Sequence, residues 1–142
     1  MSMTLGQEGR TCLATMADDR VTDWARGLAA ADMRAFMRAR RRFLRRPSSK
    51  HLHELRIAAR RLRALFEDFR DVLTSQRRTT LSRLIQLTGE ARDAAVLRKT
   101  LREAVDARER RDARTLLRDL RARERSCFSR VRRLLAKLRY PV

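Results

Sequence analysis

With 142 residues the chain has room for one domain with a modest core. A formal net charge of +19 points to polyanionic partners and to self-repulsion, while 43% apolar residues exclude wholesale disorder. Only four glycines and two prolines punctuate the sequence and no strand-like alternation occurs, so the expected fold is all-helical.

Of the 36 Lys and Arg residues, only Lys50, Lys99 and Lys137 are lysine. Arginine presents a planar fork that grips phosphate through two hydrogen bonds, which lysine cannot do. Cys12 and Cys127 lie far apart, without metal-ligand spacing or a secretory leader pattern, and are expected to be reduced thiols in a cytoplasmic protein. No apolar run is long enough to cross a bilayer, so no membrane partner is expected.

The opening, residues 1–17, reads as a tail or short helix, and the domain proper as residues 18–142. A first long helix is expected to start at Asp18 or Asp19, either of which can accept hydrogen bonds from a first turn. Val21, Trp24, Leu28, Ala31, Ala35, Ala39 and Phe43 make its predicted core stripe, and Arg34, Arg38, Arg41 and Arg45 repeat on another face. Pro47 ends it. Ser48 or Ser49 can cap a second helix, buried through Leu52, Leu55, Ala59, Leu62, Phe66, Phe69 and Leu73. Beside that stripe, His53, Arg56, Arg60 and Arg63 fall within an arc of roughly 80°. There their stems can pack while their heads stay wet. Arg61 lies off this arc and reads as solvated.

A turn around Thr74 to Arg78 leads to a third helix, where Leu81, Leu84, Ile85 and Thr88 share a face. Gly89 interrupts, and the apolar phase is expected to shift to Ala94, Leu97 and Leu101 across a kink or short break. Arg92 projects onto the earlier face and needs a partner from another element. Val105 to Arg114 is a turn region or exposed helix end. The last helix carries Leu120, Glu124, Cys127, Val131, Leu134 and Leu138 as a heptad-like seam, widened by Phe128 and Leu135, before Pro141 stops it. Four amphipathic helices with short connections imply an antiparallel four-helix bundle.

Two stretches carry a resemblance. His53, Arg56, Ile57, Arg60, Arg61, Leu62, Arg63 and Ala64 read H-x-x-R-I-x-x-R-R-L-R-A, similar to the signature of the CHAD domain, the conserved histidine α-helical domain. LTGEARDAAVL, Leu87 to Leu97, resembles that family's second motif, with Gly89, Arg92, Asp93, Val96 and Leu97 in place. A weaker similarity covers Ser129 through Arg130 to Leu135.

The resemblance implies a non-catalytic module that binds inorganic polyphosphate, without cofactor or metal, and suggests association with polyphosphate granules. It carries polyphosphate binding over to His53, Arg56, Arg60 and Arg63, and a structural pairing to Arg92 and Asp93. Arg38, Arg42, Arg45, Lys99 and Arg130 are additional candidate ligands. Family members usually carry two four-helix halves with a second such histidine helix. Here the only other histidine is His51, so the chain resembles one half, and two copies are expected to pair as a homodimer.

An enzyme is disfavoured, since no Gly-rich phosphate loop, acidic cluster or nucleophile–base pair occurs. Nucleic-acid binding is the alternative that charge alone also fits. Against it, aromatics are 5% of the chain and mostly lie on apolar faces, leaving no evident stacking platform. A third class, an assembly module, would take an acidic protein partner. Protonated His53 donates from both ring nitrogens, so polyphosphate binding is expected to tighten toward mildly acidic pH.

Overall fold

The computed structural model describes residues 7–71, 73, 78–106 and 109–138, with side chains from residue 19 onward apart from residue 110. The expected turn at residues 74–77, the side chain of Cys12 and the stop at Pro141 lie outside the described residues. Four long helices, α1 (Gln7–Arg45), α2 (Ser49–Asp68), α3 (Arg78–Ala104) and α5 (Arg114–Lys137), are joined by short connections, with one four-residue helix, α4 (Glu109–Asp112). No strand occurs among the described residues.

α1 packs along α2, α2 along α3 and α3 along α5. The contacts between neighbours run in opposite order along each pair. Arg42 meets Glu54 while Trp24 meets Phe69. His53 meets Arg92 while Arg56 lies over Gly89. Glu124 meets Arg98 while Arg130 meets Glu90. The helices are therefore antiparallel. α1 reaches α5 through the Phe43–Phe128 edge-to-face contact at 5.6 Å and through Arg40 Nη2, which donates to the Leu135 carbonyl at 3.0 Å.

α1 begins by Gln7 and runs without interruption through Asp18 and Asp19, where a start was expected. Residues 7–17 hold several strong helix formers and no proline, and an aspartate on a solvent face is tolerated within a helix. Its core face also differs from the predicted stripe. Ala25, Phe36, Ala39 and Phe43 are buried, while Val21 and Trp24 are 48% and 59% exposed and Ala31 faces solvent. Alanines lie on several faces of α1, so the aromatics Phe36 and Phe43, two turns apart, decide which side is buried.

α2 matches expectation closely. Ser48 caps it, its Oγ accepting from the His51 amide at 3.2 Å, and Leu52, Leu55, Ala59, Leu62 and Phe66 are buried. Leu73 closes the core beyond its end, and Phe69 is half-buried.

α3 carries no break at Gly89. Its buried face continues in one phase through Leu81, Leu84, Leu87, Thr88, Ala91 and Ala94, and Leu97 is 58% exposed rather than core. The small residues Ala91 and Ala94 hide that continuity in the sequence. α4 opens with a reciprocal cap: the Asp106 amide donates to Glu109 Oε2 at 3.1 Å and the Glu109 amide to Asp106 Oδ1 at 2.8 Å. The seam of α5 buries Glu124, Cys127, Val131 and Leu135, with Leu138 closing its end.

Candidate functional site

The arc on α2 faces α3, and the two helices leave a groove between them. Its floor is Leu52, Thr88 and Ala91, and its rim carries His53 beside the cations Arg56, Arg92, Arg98, Lys99 and Arg102. The groove encloses about 470 Å³. A second hollow of about 680 Å³ lies farther along α2, lined by Arg60, Arg61, Arg63 and Ile85, and Arg56 lines both. From His53 to Arg63 the track follows ten residues of helix, about 15 Å at the α-helical rise.

Helix position explains why these heads are available. The stripe beside them is buried to the limit at Leu55, Ala59 and Leu62, so the stems are anchored while the charged ends reach the groove. Arg56 is half-buried, whereas His53, Arg60 and Arg63 are exposed. Among the described residues no carboxylate pairs with Arg56, Arg60, Arg63 or Arg102. The basic arc therefore keeps its charge, and a hollow lies open beside it.

Arg92 finds its partner on another element, as expected. Its Nη1 lies 2.9 Å from His53 Nδ1, within hydrogen-bond distance. Arg92 is exposed, because its helix turn sits at the groove rim. Asp93 is exposed and makes no hydrogen bond or ion pair with a described residue, so the structure brings no Arg92–Asp93 pair together.

The additional candidates divide. Lys99 lines the groove and lies 3.7 Å from Glu103 in an exposed pair. Arg38 and Arg42 line a separate hollow between α1 and α2 that also holds Asp32 and Glu54, and Arg42 donates to Glu54 at 3.2 Å. Arg45 is exposed at the end of α1 and lines neither part of the α2 track. Arg130 sits between α3 and α5 with Arg83, Arg133 and Lys137, and donates to Glu90 at 3.0 Å. Arg61, read as solvated, is exposed but stands on the shoulder between two hollows.

Sequence reasoning missed Arg98 and Arg102. Both stand C-terminal to the second motif on the turns of α3 that face the groove, where a period count from Ala91 and Arg92 would have found them. Arg98 is held by Glu124, 93% buried, whose Oε2 accepts from Arg98 Nη2 at 3.0 Å while Oε1 accepts from Ser49 Oγ at 2.8 Å. This carboxylate ties the start of α2 to α3 and α5 at one end of the groove. The role of Gly89 was also hidden: a Cβ there would come 2.7 Å from Arg56 Nη1.

Among the described residues no cluster of His, Cys, Asp and Glu has the makings of a metal site, and no helix is long and apolar enough to cross a membrane. A search of curated proteins and a search of solved structures each found no significant match. Comparison with protein families matches residues 12–141 to the CHAD domain, beginning inside the stretch read as a tail and running nearly to the end of the chain. Basic histidine helix, second motif and family match agree in register, and the chain belongs to the CHAD domain family.

Proposed function

We propose that the protein binds inorganic polyphosphate, without catalysing a reaction, along the track from the α2–α3 groove through Arg56 to Arg60 and Arg63. The observation that carries this reading is that one residue, Arg56, lines both hollows, together with arginines that no described carboxylate neutralises. A flexible chain with about one charge per phosphate unit rewards such a row, because fixed forks make charge-assisted hydrogen bonds without ordering each head anew. Arg56 is half-buried, so its own contact with phosphate is made where the local dielectric is lower and is the stronger for it. Binding releases counterions, so affinity falls steeply with salt.

Titration with long-chain polyphosphate tests it. At low salt, Arg56→Ala combined with Arg60→Ala is expected to cost about 3 kcal/mol, on the order of a hundredfold, with helicity unchanged. An unchanged affinity in a folded double variant overturns the reading. Nucleic acid is the rival polyanion. Polyphosphate is expected to displace single-stranded RNA at equal phosphate concentration, and the reverse result favours the rival. We further propose that two copies pair around the ligand, since the rim of the groove also exposes Val96 and its neighbour Leu97, 51% and 58% accessible in the single chain.

A further inference from the structure

Gly89 sits in the middle of α3 with ordinary helical backbone, and no described glycine has a positive φ. The backbone therefore makes no demand for glycine at this position. Nor does a close approach of the main chain of α2. The three atoms nearest to a Cβ at residue 89 would be Arg56 Nη1 at 2.7 Å, Arg56 Cζ at 3.7 Å and Arg56 Nη2 at 4.0 Å. The space that a side chain would fill is taken by one guanidinium. That guanidinium belongs to the residue that lines both the groove and the hollow farther along α2.

We infer that Gly89 is a positioning residue for phosphate-chain binding: its bare surface seats on α3 the Arg56 fork that lines both hollows. The inference rests on the polyphosphate reading above and names the device that aims its central ligand. A methyl group at residue 89 pushes the far end of a flexible side chain, so the fold gives way at Arg56 and not at the backbone. Arg56 then leaves its seat, moves among solvent rotamers, and must be ordered again when phosphate arrives. α3 itself gains, because alanine is the better helix former. Affinity and stability are thus expected to move in opposite directions, which a merely structural glycine would not produce.

The experiment is a cycle of Gly89→Ala, Arg56→Ala and the double variant, each titrated with long-chain polyphosphate at low salt and melted by temperature. Gly89→Ala is expected to lose roughly tenfold in affinity, as one phosphate contact is weakened, while its melting temperature stays level or rises. In the Arg56→Ala background the same glycine change is expected to cost no further affinity. A Gly89→Ala protein that binds like the wild type overturns the inference. So does an additive loss in the double variant, or a Gly89→Ala protein that fails to fold. If Arg56→Ala itself binds normally, it is the groove reading that fails. If Arg56→Ala weakens binding and Gly89→Ala does not, only the positioning role fails.

Discussion

Arg42 and Arg56 show how little residue type alone decides. Both are arginines beside apolar stripes, yet Arg42 leans on Glu54 across a largely exposed pair worth about 0–1 kcal/mol, while Arg56 stays unpaired at the centre of a basic track. Cys127 is a second case. Burial raises its thiol, the nearby carboxylate of Glu90 raises it further, and Arg130 and Arg123 pull the other way. The fold favours the neutral thiol. The stability this adds is complete below the ordinary thiol range and is lost as pH rises through the raised value. In a Cys12→Ser background, thiol labelling of the native protein at about pH 8 is expected to be slow and to become fast on unfolding in guanidinium. Equal rates in the two states would contradict the burial of Cys127. At this scale the sequence was legible where apolar residues are bulky and evenly spaced, as in Leu52 to Phe66. It was illegible where the deciding contact crosses between helices: nothing local in the string shows that Arg56 occupies the place of a side chain at Gly89.

α2 is held at its start as much as along its face. α2 starts at the Ser48 cap, with His51 Nδ1 2.7 Å from the Arg46 carbonyl, and Ser49 donates onward to Glu124. Glu124 therefore joins three helices through two hydrogen bonds while itself buried. Glu124→Ala strands the half-covered Arg98 guanidinium and the Ser49 hydroxyl together, and is expected to cost about 1–3 kcal/mol in urea unfolding. Glu124→Gln keeps one acceptor and should recover part of that loss. A Glu124→Ala protein as stable as the wild type would show that water serves the node equally well. The four long helices were readable from periodicity. Their register was not always so, because a stripe of alanines specifies a face weakly: Ala31 was placed in the core and lies in solvent, and Ala91 was not seen to carry the α3 face unbroken past Gly89 to Ala94. The basic arc on α2 was legible because the same turns that fix the buried stripe fix its shoulder. The rest of the rim, Arg98 and Arg102, belongs to α3 and becomes part of the site only when the helices pack.

The whole molecule combines a net charge of +19 with a groove whose cations share one side of the α2–α3 pair. Two bare copies repel, and a polyanion laid between them removes the repulsion. Light scattering is accordingly expected to report a doubled mass once polyphosphate is added at less than one chain per protein. A strict monomer with and without polyphosphate would rule out the pairing. The order in which the helices touch has a further consequence. Each long helix packs on the next one along the chain, and the first meets the last through the Phe43–Phe128 rings and the reach of Arg40 to the Leu135 carbonyl. Loop closure between near neighbours is cheap in entropy, so such a topology has low contact order and folds quickly. A ribosome can release it hairpin by hairpin, each new helix finding a finished neighbour, with the aromatic clasp between first and last closing after the rest.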